Sequence, residues 1–330
     1  MKKTLKFFLL FVLAMSFVFT CAVSVNAASV DLQNDFAFKT FESKANAGYS
    51  LNYRIYVPKN YDSSKSYPVL MFLHGAGERG SDNTAHVNGT VKNLFDTRYE
   101  LFSQTIVICP QCPSGEQWVD YPWSKGNYSV DKVPESKALS TAFEILQSVM
   151  AEYSCDSDRV YAMGLSMGGY GTWDLLVRHG DTFAAAVPIC GGGDPSKAEQ
   201  LKNIPIWTYH GTADPTVSFN NTKEMYESIT AAGGSKITFN AVEGAGHNVW
   251  TDATTNGALL DWLMASKLSD RLPKEEVTEV PEEVITTGPE TDKAPEGDDN
   301  GGCKGSVVAM SVPAAIVLAG AFVFKKKKQD

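Results

Sequence analysis

The chain has 330 residues, 43% of them apolar and 20% charged, with a formal net charge of −9 at neutral pH. An acidic chain repels polyanions, which excludes nucleic acid as the expected partner. Set apart from its two ends, the body is long enough to bury one large core of its own.

Met1-Lys2-Lys3, an apolar run over residues 7–25 and then Asn26-Ala27-Ala28 read as the basic start, apolar stretch and small-residue cleavage point of a secretory signal over residues 1–27. The pair Val25 and Ala27 disfavours an uncleaved anchor, and Thr20 ahead of Cys21 disfavours a lipoprotein. Residues 28–271 are expected to form a single domain. Within it, residues 51–57 alternate Leu51, Tyr53, Ile55 and Val57 against Asn52, Arg54 and Tyr56, which predicts a half-buried strand ended by Pro58. Residues 69–73, 105–109, 159–163, 184–189 and 206–209 are short apolar runs, as central parallel strands require. Between them, Leu139, Phe143, Leu146, Met150 and Tyr153 recur at the helical period, with Pro134 suited to the first turn. Residues 168–179, 218–232 and 256–267 are further helices. Strands alternating with helices predict an α/β fold, a mostly parallel sheet covered on both faces, with its site at the carboxyl ends of the strands.

Of the cysteines in the body, Cys109 and Cys112 either close a small disulfide in an oxidising compartment or stay as thiols. A zinc site made from Cys109, Cys112, Cys155 and Cys190 lacks the paired spacing such sites use. After the domain, residues 272–305 form an acidic linker with Pro273, Pro281, Pro289 and Pro295 and almost no aromatic content, expected to stay extended. Residues 306–324 then run without a charge and are followed by Lys325 to Lys328. That pattern predicts a single transmembrane anchor with a cytoplasmic tail at residues 325–330 and the domain on the outer face of the cell membrane.

Chemistry concentrates around Met163-Gly164-Leu165-Ser166-Met167-Gly168-Gly169, which follows a predicted strand and opens a predicted helix. Glycines on both sides of Ser166 allow the tight turn that lifts a serine oxygen clear of a sheet, so Ser166 is the expected nucleophile. A serine hydroxyl needs a neutral imidazole to take its proton and a carboxylate to orient that imidazole. His247, in the glycine loop 243–250 beyond the last predicted strand, is the expected base. His74 and His210 each end a strand and read as loop braces, while His86 and His179 read as surface-loop and helix-end residues. Asp214, just past the strand 206–209, is the expected acid, with Asp194 as the alternative. The developing oxyanion needs backbone donors. Met167 supplies one, and the loop His74-Gly75-Ala76-Gly77-Glu78-Arg79-Gly80 supplies the other through Ala76, or else Gly77.

Over most of residues 51–267 the chain, on this glycine loop, the Ser166 turn, the Asp214 segment and the Gly246-His247 pair, resembles secreted α/β-hydrolases that include feruloyl esterases, acetylxylan esterases and polyhydroxyalkanoate depolymerases. The resemblance implies the α/β-hydrolase fold and an acyl-enzyme reaction that uses no metal or other cofactor. It also implies an ester substrate, with acetyl or feruloyl groups on plant polysaccharide as the leading class. Trp118 and Trp123, in the segment 117–123 on the site's side of the sheet, are the expected stacking surfaces for a sugar or an aromatic acyl group, or else pack a long loop. Two other functions stay open, a serine peptidase of the prolyl-oligopeptidase type and a non-catalytic binding module.

Overall fold

The computed structural model describes residues 29–271. Eight strands form one sheet in the order β1-β2-β4-β3-β5-β6-β7-β8. They are β1 (Phe36–Glu42), β2 (Ser50–Tyr56), β3 (Tyr67–Leu73), β4 (Ile106–Pro110), β5 (Cys155–Leu165), β6 (Ala185–Ile189), β7 (Ile206–Gly211) and β8 (Ile237–Val242). The two pairings made by β2, with β1 and with β4, are antiparallel, and every other pairing is parallel. The order reverses around β3 and β4, so crossovers run to both sides of the sheet. The fold is that of the α/β-hydrolases.

Successive residues of a strand point to opposite faces, and the central strands bury both. Val69, Met71 and Leu73 of β3 face one apolar layer while Leu70 and Phe72 face the other. The first layer is closed by α3 (Lys137–Glu152), α4 (Met167–His179), α5 (Ala198–Leu201) and α6 (Phe219–Ala231), through residues such as Leu146, Trp173 and Met225. The second is closed by α1 (Gly89–Thr97), α2 (Tyr99–Phe102), α7 (Trp250–Thr254) and α8 (Gly257–Ala265), through residues such as Phe95, Phe102 and Leu260. Pro134 lies ahead of α3. The helix starts instead behind Ser136, whose hydroxyl accepts from Leu139 N–H and satisfies one of the free donors of the first turn.

Three expectations are corrected here, and the alternative left open for Cys109 and Cys112 is decided. Strand β2 is buried on both faces, because Arg54 donates to the carbonyls of Leu32, Gln33 and Phe36 and Tyr56 packs against Phe36 and Phe95. Cys109 and Cys112 are free thiols in opposite layers of the core, which separates them across the sheet. His86 is buried, with Nε2 2.9 Å from the Cys109 carbonyl, and is no surface residue. Finally, the location on the outer face of a membrane does not stand. Among the described residues no helix is long and apolar enough to cross a bilayer. The longest, α3, has 16 residues, or about 24 Å at the helical rise against a hydrocarbon core of about 30 Å. The signal segment 1–27, the linker 272–305, the apolar run 306–324 and the tail 325–330 lie outside the described residues.

Candidate active site

Four loops at the carboxyl ends of β3, β5, β7 and β8 bring the chemistry together. The loop after β5 is the sharpest. Ser166 has φ 54° and ψ −118°, a backbone conformation that non-glycine residues rarely hold. Its N–H donates to Ile189 O at 2.8 Å, tying the turn to the end of β6. Helix α4 leaves the turn so close to β3 that a β-carbon on Gly168 would collide with the Leu73 carbonyl. That closeness is why the sequence needs glycine there.

His247 reaches Ser166 from the loop after β8. Its Nε2 lies 2.8 Å from Ser166 Oγ and its Nδ1 lies 2.6 Å from Asp214 Oδ2. A carboxylate oxygen only accepts, so Nδ1 carries the hydrogen and Nε2 is left to accept from the serine hydroxyl. Asp214 sits past the end of β7 with its side chain fully buried. Its Oδ1 accepts from the N–H groups of Thr216 and Val217 at 2.8 and 3.0 Å. Burial works against the charged carboxylate, but the hydrogen bonds from His247, Val217 and Thr216 outweigh it and hold Asp214 below its ordinary value. The group therefore stays ionised at neutral pH. Asp194, the alternative acid, is used elsewhere. It accepts from Val130 N–H, Ser196 N–H and the Ser196 hydroxyl, capping the turn at Pro195–Lys197.

The loop after β3 lies against the serine. A β-carbon built on Gly75 would be 3.6 Å from Ser166 Cβ. Among the described residues, neither the Ala76 N–H nor the Met167 N–H donates to a protein acceptor. Both are left available at the start of short helical segments, Ala76–Glu78 and α4. Around them the loop is fixed by His74, the brace its sequence position suggested, and by Arg79 and Gln111, for which the sequence carried no such signal. His74 Nδ1 lies 2.6 Å from Gly75 O, and its Nε2 accepts from Cys112 N–H at 2.9 Å. Arg79 donates to the Ala76 and Glu116 carbonyls, and Gln111 donates to Glu78 O.

Trp118 and Trp123 part company. The Trp118 indole is fully buried and donates to His74 O at 3.0 Å, so it supports the loop from beneath and offers no face to a ligand. This corrects its expected role. Trp123 is partly exposed and lines a pocket of about 600 Å³ with Ser124, Thr212, Thr216, Ser218, Phe219 and Asn220. Its backbone is held in place by Tyr170, one helical turn after Ser166. The phenol oxygen lies 3.2 Å from Trp123 O and 3.1 Å from Gly126 O, and accepts from Asn221 Nδ2. The pocket takes no charged side chain other than Asp214, whose carboxylate is committed to His247 and to the backbone.

Among the described residues, Cys190, Asp214 and His247 are near enough to one another to offer metal ligands, with donor atoms within 4.8 Å. The Cys190 thiol donates to His247 O at 3.2 Å and burial pushes it up to about 12, so it stays protonated and is a poor ligand.

The phospholipase/carboxylesterase family matches residues 60–256. A crystal structure of a thermostable esterase is 34% identical, with a TM-score of 0.64 over 71% of this chain and 63% of that one. A bifunctional acetylxylan esterase/xylanase of Neocallimastix patriciarum is 26% identical over 176 residues, 53% of this chain and 23% of that protein. A probable feruloyl esterase C of Aspergillus terreus is 24% identical over 202 residues, 61% of this chain and 69% of that protein. The chain thus spans under a quarter of the first of these curated relatives.

Proposed function

Because the chain belongs to the phospholipase/carboxylesterase family, we propose that it is a serine esterase whose nucleophile is Ser166, base His247 and acid Asp214, carried by a catalytic domain at residues 28–271. The single observation behind this reading is the unbroken chain from Ser166 Oγ through the His247 ring to Asp214 Oδ2, at 2.8 and 2.6 Å. Ser166 Oγ attacks the ester carbonyl carbon while its proton passes to His247 Nε2. Asp214 stabilises the imidazolium that forms. The oxyanion is taken by the N–H groups of Ala76 and Met167. As the tetrahedral species collapses, the bond to the alcohol oxygen breaks and the alcohol leaves with the proton from His247. Water then enters, giving a proton to His247 as it attacks the acyl-serine, and the carboxylic acid departs with Ser166 restored.

For the substrate, the favoured class is acetyl or hydroxycinnamoyl esters on plant polysaccharide. Two observations support it. Two of the named relatives act on acetylated xylan or feruloyl esters by their descriptions, and the pocket beside Trp123 and Phe219 has no charged side chain besides Asp214, whose carboxylate is committed to His247 and the backbone, and is rich in hydroxyl groups, which suits a neutral sugar or phenol better than an ionic head group. Acid release from acetylated and feruloylated xylan, measured beside peptide cleavage by the same preparation, tests the class. Release of acetate or ferulate is expected. Peptide cleavage without acid release would move the protein to the peptidases.

A further inference from the structure

His247 is not the only histidine on Asp214. His210 lies in β7, four residues before the aspartate, and its Nε2 is 3.1 Å from Asp214 Oδ2, the same oxygen that faces His247. The ring is fully buried. Its Nε2 also lies 3.0 Å from Val217 O, and its Nδ1 lies 2.7 Å from Thr222 Oγ1, which is itself 2.9 Å from Gly191 O. Two acceptors, a carboxylate and a carbonyl, face Nε2, so Nε2 carries the hydrogen. Burial holds the ring below the ordinary histidine value, which leaves Nδ1 bare beside the Thr222 hydroxyl, whose single hydrogen is shared between Gly191 O and Nδ1. Phe219 packs edge-on against the ring at 5.9 Å between centroids. An apolar side chain would fill this space without the cost of burying an imidazole, so packing alone does not account for a histidine.

We propose that His210 is a positioning residue for Asp214. Its Nε2, which donates to Val217 O and stands 3.1 Å from Oδ2, turns the positive end of the N–H toward the carboxylate, biasing its rotation toward His247 and offsetting part of the negative charge that Oδ2 presents to the base. The inference rests on the reading of Ser166, His247 and Asp214 given above. The titratable groups facing Asp214 are His247, His210, Cys190 and Tyr170. The Cys190 thiol and the Tyr170 phenol are both pushed up by burial and stay neutral, so they do not supply the same effect. The mirror of this arrangement is seen on Oδ1, where two backbone N–H groups already complete the other half of the carboxylate.

The test uses the full chain and nitrophenyl acetate, with kcat, KM and the pH profile measured for the unmutated protein, Ser166→Ala, His210→Phe, His210→Gln and Thr222→Val. Losing the Nε2–H leaves Oδ2 more negative, so the proton on His247 is held more tightly and the acid limb of kcat/KM moves to higher pH. In His210→Phe that limb should rise by about half a unit or more, with kcat down about tenfold and KM within about twofold. His210→Gln restores a side-chain N–H donor and should bring the limb back to its original position. Where His210→Phe fails to fold, Thr222→Val, which loosens the ring without removing it, should lower kcat and move the limb in the same direction. A folded His210→Phe or Thr222→Val variant with an unmoved limb would overturn the proposal, as would a glutamine variant no better than phenylalanine. Activity retained by Ser166→Ala would instead sink the serine mechanism itself, so the two failures are told apart.

Discussion

His247 Nε2 stands 2.8 Å from Ser166 Oγ although 81 positions separate the two residues in the chain. The sheet makes the meeting possible, since Ser166 follows β5 and His247 follows β8 and both strands end on the same side. Replacing His247 with alanine should therefore cut kcat for a small ester by about a million-fold, as loss of a base in a triad does, while leaving the melting temperature close to that of the parent. Retained turnover in a folded variant would remove His247 from the mechanism.

The two tryptophans of one segment should behave in opposite ways. Trp118→Ala empties a fully buried site beneath the His74 loop and should cost about 3–5 kcal/mol of stability, read from chemical denaturation. Trp123→Ala should leave stability nearly unchanged and spare nitrophenyl acetate, yet lower kcat/KM on acylated xylan by roughly tenfold, equivalent to about 1.4 kcal/mol. An equal loss on both substrates would separate Trp123 from polymer recognition.

Stability should fall on acidification well above the range where carboxylates titrate. Burial pushes His74 down to about 3 and His86 to about 4, from an ordinary value near 6.5. Below pH 6.5 the unfolded chain binds protons that the folded chain refuses. The histidine contribution is thus whole above pH 6.5 and is lost as pH falls from there toward 4. Melting temperatures from pH 8 to pH 4 would show it, and His86→Gln should flatten the upper part of the slope. A flat profile between pH 7 and pH 5 would contradict this account.

Reducing agents should leave the melting temperature unchanged. Cys109 and Cys112 end up in opposite core layers as free thiols, and burial raises both above their ordinary value. A fall in melting temperature with dithiothreitol, absent from a Cys109→Ala variant, would show that the pair had closed.

What the sequence made legible depended on how local the physical signal was. The central strands are continuous apolar runs because both their faces are buried, and the turn around Ser166 is written in adjacent glycines, so both were readable without coordinates. Strands β1 and β8 escaped notice because they are edge strands with largely exposed or half-exposed residues, which leaves no apolar run. Trp118 looked like a ligand surface because sequence does not say which face of a loop is covered; its partner, the His74 carbonyl, is 44 positions away. His210 was read as a brace for its own loop. A sharper signal was present, since His210 and Asp214 are four apart across the end of a strand, but only the fold shows that the His210 and His247 rings converge on one Asp214 carboxylate oxygen.

Mass spectrometry of the protein after reaction with a fluorophosphonate tests the central claim most directly. The reagent bonds covalently to a serine oxygen activated by a neighbouring imidazole, displacing fluoride, and so reports the nucleophile whatever the natural ester is. One equivalent of phosphonyl group is expected on the peptide that contains Ser166, with esterase activity lost in proportion and no labelling of Ser166→Ala or His247→Ala. Labelling at another serine, or full esterase activity with Ser166 blocked, would contradict that claim.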